Sequence, residues 1–395
     1  TTEILGDTTP QLGGNLDLNS NDITGTGNID LTGSLTVDGG TIKLDGNYPT
    51  GTDNVALGNL ALDDGSLSGA YNVAIGTEAL SANTSGQQNT AVGRQSLRDN
   101  TTGQYNVALG LNAMRVNTSG DSNTAVGVQA LRDNTTGDNN VAVGYTALVS
   151  NTTTSNLVAV GYQALSNNTT GGSGVAIGYN ALEENTTGSG NTAVGRQALQ
   201  ENTTAGNNTG VGYLALNANT TGAKNTAIGK GSLALNTTGT LNVASGQDAL
   251  GANTTADNNT ALGYLALTTN TTGSLNTAVG GDTLKLNTTG AQNVAVGMYT
   301  LNANTTASQN TAVGYAAMLS TTTGASNVAV GGNALDANTT GASLTAVGAY
   351  ALDANTTGSN NTALGNGALQ ANTTASNNTA VGYQALVNNS TGYEN

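Results

Sequence analysis

Residues 191–204 read NTAVGRQALQENTT, and close variants of this stretch recur to the end of the chain. Gly195 has a counterpart at every seventeenth position from Gly76 to Gly382, after one longer step from Gly58. We number each unit from its asparagine, so that Asn191 is position 1 and Gly195 is position 5. Twenty copies without drift indicate a repeat architecture in which neighbouring units share one continuous core.

The copies agree at a small set of positions. Position 5 is Gly in all twenty units, position 9 is always Leu or Met, and position 3 is Ala except at Gly210. Position 12 is Asn except at Gly65 and Thr321, and positions 13 and 14 carry Thr or Ser in every unit from Asn83 onward. We expect these columns to determine the fold, whereas a variable position such as Gln197 should tolerate substitution.

A unit of this length is too short for two packed helices but suits one coil of a β-solenoid. Side chains alternate along a strand, so we expect the aliphatic residue at position 4 and the Leu at position 9 to fill the coil. The opposite face, with Ala at position 3 and Gly at position 5, is predicted to contact sister chains, because small residues permit close backbone approach. Positions 6–11 contain good helix formers and are compatible with one short helical turn per coil.

The predicted fold is therefore all-β: a parallel β-solenoid (β-roll) of about twenty 17-residue coils over residues 54–395, assembled as a homotrimer. Residues 1–53 differ from this rod. GNLDL (14–18), GNIDL (27–31), SLTV (34–37) and TIKL (41–44) predict four short strands separated by turn residues. So short a segment cannot close a core alone, so we predict a β-rich connector intertwined with identical chains.

At two sets of repeat positions the residues are compatible with either a structural role or a functional one. Asn-Thr-Thr at positions 12–14 is an N-glycosylation sequon, but its fixed phase favours a ladder of Asn amides bonded from coil to coil. Tyr145, Tyr162 and Tyr179 occupy position 6 in three consecutive units. We expect these rings to stack on one another, with sugar binding as the alternative.

The composition excludes several classes of function. The chain has no Cys and no His, so it lacks the usual zinc ligands, a thiol nucleophile and an imidazole base. Its Asp and Glu residues form no pair at constant phase, and we predict no catalytic, cofactor-binding or metal-binding residue. Nine Lys and Arg against 24 Asp and Glu disfavour nucleic acid as a partner, and no apolar run is long enough for membrane insertion.

The chain begins with Thr1, and Asn395 falls on position 1 of a further unit, so we expect a longer polypeptide.

Two stretches resemble known families. ILGDTTPQLGGNLDLNSNDITGTGNIDLTGSLTV (residues 4–37) resembles segments of tail-fibre and other appendage proteins of phages. The NTAVGxxAL units over 54–395 resemble the SVAIG units of YadA-type heads of trimeric autotransporter adhesins, whose repeat is shorter than the unit of this chain. The second resemblance implies trimeric left-handed parallel β-rolls.

Together the resemblances imply a tail fibre located in the virion. It would be joined to other tail or baseplate proteins at its N-terminal end and would support contact with a host glycan or receptor at its distal end. The alternative is a bacterial trimeric surface adhesin, in its head or stalk, at the bacterial cell surface. An enzyme such as a solenoid polysaccharide lyase has less support, because no residue cluster interrupts the repeat. In the two favoured interpretations the regular coils are a spacer.

Overall fold

The computed structural model of the protein describes residues 52–395, so the connector predicted for residues 1–53 lies almost wholly outside the described part. Twenty β-strands of three residues each recur once per unit. In chain order β1–β20 are Val55–Leu57, Val73–Ile75, Thr90–Val92, Val107–Leu109, Thr124–Val126, Val141–Val143, Val158–Val160, Val175–Ile177, Thr192–Val194, Thr209–Val211, Thr226–Ile228, Val243–Ser245, Thr260–Leu262, Thr277–Val279, Val294–Val296, Thr311–Val313, Val328–Val330, Thr345–Val347, Thr362–Leu364 and Thr379–Val381.

Each strand pairs in parallel with the strand of the next coil. The register joins equivalent positions, as between β9 and β10, where Ala193 lies opposite Gly210. Backbone bonds continue between coils outside the strands: Leu199 N donates to Ala215 O at 3.0 Å, and Glu201 N donates to Asn217 O at 3.0 Å. The prediction of an all-β parallel solenoid with one coil per repeat unit is confirmed.

The short helical turn considered for positions 6–11 is absent from residues 52–395, where this stretch is a run of turns. Positions 7 and 9 adopt left-handed backbone conformations, as in Gln197 (φ 58°) and Leu199 (φ 52°). A right-handed helix requires φ near −63° at every residue. Residues that favour a helix therefore lie in a stretch whose backbone has left-handed conformations at positions 7 and 9, which a right-handed helix cannot contain.

The two faces of the strand are the reverse of those predicted. Ala193 at position 3 is fully buried, as are Ala198 and Leu199, whereas the aliphatic residues of position 4 lie outside, with Ile228 46% exposed. A Cβ added to Gly210 would lie 3.3 Å from Leu199 Cγ, so position 3 packs against the position-9 side chain of the preceding coil. Because this Leu reaches across a narrow coil, only a methyl group fits opposite it.

Position 5 is small because the next coil of the same chain approaches it. Gly331 has φ +136°, and an added Cβ would lie 2.6 Å from the carbonyl atoms of Gly348. L-residues with a side chain rarely adopt this conformation. The close approach predicted between sister chains is therefore an approach between successive coils of one chain.

Position 9 has a backbone constraint as well as a packing role. All twenty of its residues have positive φ, including Met114 (φ 49°) and Met318 (φ 54°). A left-handed conformation is unfavourable for any side chain and most unfavourable for a β-branched one. This explains why the column contains Leu and Met and never Val or Ile.

Candidate functional surfaces

The position-12 asparagines form a buried ladder along the solenoid. Asn219 Nδ2 donates to Asn202 Oδ1 at 2.8 Å and to Gly222 O at 2.9 Å, and Asn219 Oδ1 accepts from Asn236 Nδ2 at 2.8 Å. These side chains are fully buried. The predicted Asn ladder is confirmed, and a glycan on Nδ2 would have to break it, since both amide hydrogens are used inside the coil.

A second ladder runs through position 1, and the sequence reasoning missed it. Asn225 N donates to Asn208 Oδ1 at 2.9 Å, and Asn208 Nδ2 donates to Gly222 O at 2.9 Å. Gly222 O thus accepts from the asparagines at positions 1 and 12 of its own coil. The near-constant Asn at position 1 was the available signal. Buried polar groups need such partners to offset their desolvation.

The tyrosines of position 6 form an exposed column. The ring centroids of Tyr145 and Tyr162 lie 5.4 Å apart, those of Tyr162 and Tyr179 lie 5.1 Å apart, and both pairs are stacked. Arg196 extends the column, with its guanidinium carbon 5.7 Å from the Tyr179 ring centroid and 5.6 Å from that of Tyr213. The predicted stacking is confirmed. A sugar would need an open ring face, and both faces of Tyr162 are covered.

Positions 2 and 4 of the twenty strands form what we call the outer sheet face. Position 2 is Val or Thr, and position 4 is Val, Ile or Leu except at Ser245. Position-4 side chains are substantially exposed, for example Leu262 (38%) and Leu364 (47%). No charged residue lies in either column, so the described coils present a continuous uncharged face.

Charged residues are few and are placed in the turns. Arg98 and Arg132 donate hydrogen bonds to the adjacent carboxylates of Asp99 and Asp133, and these bonds raise the pKa values of the two guanidinium groups. Lys285 Nζ lies 2.8 Å from Asp282 Oδ1. Within residues 52–395 no group of three or more His, Cys, Asp or Glu is placed to hold a metal ion. No helix in that range is long and apolar enough to cross a membrane.

Asp336 and Asp353 occupy position 10 in successive coils, so the prediction that no acidic residues pair at constant phase was wrong. Burial raises the pKa of both carboxyl groups, and the charge of Asp353 raises that of Asp336 further. A hydrogen bond from Gln370 acts in the opposite direction on Asp353. The pair is an electrostatic cost to the folded coil at neutral pH.

No family model and no curated protein matches the chain. The functional interpretation therefore depends on the coils and surfaces described above.

Proposed function

We propose that the chain is a structural segment of a virion appendage, a tail fibre, in which a homotrimeric rod acts as a rigid spacer that supports attachment to a host cell. The supporting observation is the constant parallel register from β2 to β20, which no insertion interrupts. A receptor-binding loop would be expected as a break in this period. At about 4.8 Å per coil, twenty coils give a rod of roughly 95 Å.

The proposed trimer rests on the outer sheet face, because the Ala column that was predicted to contact sister chains is buried inside the coil. A face roughly 95 Å long and 10 Å wide has on the order of 900 Å² of largely apolar surface. The largest apolar patch of a typical monomer is about 300–600 Å², whereas a stable interface buries about 800 Å² per partner. The resemblance to YadA-type heads favours threefold assembly.

Internal deletion tests the spacer role. Residues 191–292 are six whole units, so removing them joins Gly190 to Asn293 with every ladder in phase. We expect a fibre shortened by roughly 29 Å, with its fold and its attachment to the host retained. Deletion of residues 191–195 is the control and should disrupt the stack locally. Electron micrographs that show equal damage from both deletions would contradict the spacer function.

Light scattering tests the oligomer separately. A stable folded monomer would contradict the trimer. The alternative function, a bacterial trimeric surface adhesin, is favoured by the same repeat resemblance. The remainder of the gene separates the two, because an adhesin requires a C-terminal membrane anchor and a fibre does not.

A further inference from the structure

Three arginines occupy position 10 in successive coils: Arg98, Arg115 and Arg132. Backbone bonds fix their register, since Asp99 N donates to Arg115 O at 2.9 Å and Val116 N donates to Arg132 O at 3.0 Å. The side chains therefore leave the backbone at the same point of consecutive coils, about 4.8 Å apart.

The outer two arginines have a carboxylate partner within their own coil. Arg98 Nε and Nη2 donate to Asp99 at 2.6 and 2.8 Å, and Arg132 Nε and Nη2 donate to Asp133 at 2.7 and 2.6 Å. In the middle coil the residue at position 11 is Val116 instead of Asp. Arg115 has no ion pair with the other described residues, and its buried Nε finds no hydrogen-bond partner among them.

The arginines of the chain are concentrated around Arg115. Four of the five arginines lie between Arg94 and Arg132, in a chain of net charge −15. Asp99 and Asp133 each neutralise one of them and leave the positive charge of Arg115 uncompensated. A guanidinium binds a carboxylate through two parallel N–H···O bonds. Arg98 and Arg132 do so through Nε and Nη2, and the two Nη groups offer a second pair of donors.

We propose that Arg115 is a binding site for a carboxylate group, supplied by a small free acid or by the uronate of an acidic sugar. Arg115 is partly exposed while its Nε is buried, so the ligand approaches from the Nη end of the guanidinium. Arg98 and Arg132 flank the bound anion by one coil on either side. The site depends neither on the trimer nor on a virion location.

Two variants of the full chain test this site. Arg115→Gln removes the guanidinium, and Val116→Asp supplies the missing internal carboxylate with little change in side-chain volume. Arg94→Gln is the matched control, since it removes an arginine outside the column. Arginine Nε–Hε NMR signals, of which the chain has five, are followed during titration with sodium acetate, an oligogalacturonate or inorganic phosphate.

We expect the Arg115 signal to shift with oligogalacturonate, with an affinity at least tenfold weaker in Val116→Asp and unchanged in Arg94→Gln. Arg115→Gln lacks this signal, and we expect the Arg98 and Arg132 signals, which respond in the wild type, to stay unchanged in that variant. An equal response to acetate identifies the carboxylate alone as sufficient, whereas a response to oligogalacturonate only identifies an acidic sugar. The proposal is overturned if no probe shifts the signal, if phosphate binds as well as the carboxylates, or if Val116→Asp binds like the wild type. Because that variant should melt no lower than the wild type, misfolding would be recognised separately.

Discussion

Two segments of the solenoid share one fold but differ in how completely their polar atoms are paired. In the regular segment (residues 191–292) every coil has Asn at positions 1 and 12. In the irregular segment (residues 310–360) Thr321 replaces Asn at position 12, Leu344 replaces Asn at position 1, and two acidic residues occupy position 10 in succession. The strands remain in parallel register through both segments.

The Thr at residue 321, where most other coils have Asn, leaves the position-12 ladder incomplete in the neighbouring coils. Asn304 Oδ1, which would accept from the amide of the next coil, is buried without a hydrogen-bond partner among the described residues. On the other side Asn338 Nδ2 lies 3.4 Å from Thr321 Oγ1, a long contact. The backbone therefore holds the coil in place, while the side-chain ladders add stability that can be lost locally.

The largest expected effect comes from the backbone that the two segments share. Gly331→Ala places a Cβ 2.6 Å from the Gly348 carbonyl at φ +136°, and we expect destabilisation by roughly 2–5 kcal/mol from strain and overpacking. Gly332→Ala is the adjacent control, because nothing lies within 4 Å of its added Cβ. Urea unfolding of both variants is the measurement. Equal tolerance would show that the coils are not in this close contact.

A smaller loss is expected at position 9. Leu199→Ile preserves volume but places a β-branched side chain at φ 52°, and we expect a loss of about 2 kcal/mol. Leu199→Met should cost less than about 1.5 kcal/mol, since Met318 occupies this position in the irregular segment. Denaturant unfolding compares the two variants. If Ile were tolerated as well as Met, packing alone, and not the left-handed backbone, would explain why position 9 contains only Leu and Met.

The sequence was sufficient for the fold class, the coil length and the position-12 ladder, because each follows from the period and from residues constant within it. It did not identify the inner face of the strand. Alternation separates Ala193 from Val194, but hydrophobicity favours the larger Val as the core residue. Ala193 is the inner residue because Leu199 extends across the coil and leaves room only for a small side chain. This is a tertiary contact that strand alternation does not reveal. The left-handed backbone conformation of Gln197 could not be predicted either, because Gln has no preference for that conformation.

Completing the position-12 asparagine ladder at residue 321 should increase stability. Thr321→Asn supplies an amide donor to Asn304 Oδ1 and an acceptor to Asn338, and we expect stabilisation by about 1 kcal/mol. The reciprocal change in the regular segment, Asn236→Thr, should cost about 1–3 kcal/mol by leaving a buried acceptor unpaired. Amide hydrogen exchange near each site measures the local effect. If Thr321→Asn gave no added protection, the unpaired Asn304 oxygen would have little energetic weight.

The smallest effect concerns pH and the two carboxyl groups of the irregular segment. Burial, and for Asp336 also the charge of Asp353, raises their folded-state pKa values above the ordinary 3.8. The folded state then binds protons more readily than the unfolded chain, so stability falls as pH rises from about 4 through the folded-state pKa values.

Asp353→Asn should therefore stabilise the segment at pH 7, and the gain should shrink as the pH falls towards 3, where the wild-type carboxyl is protonated. Asp257→Asn in the regular segment is the control: its carboxylate accepts from Thr240 N at 2.6 Å, so its replacement should give no such gain. Melting temperatures of the three proteins across this pH range are the measurement. A gain from Asp353→Asn that persists unchanged at pH 3 would mean that packing or the hydrogen bond with Gln370, and not the buried charge, distinguishes the irregular coils.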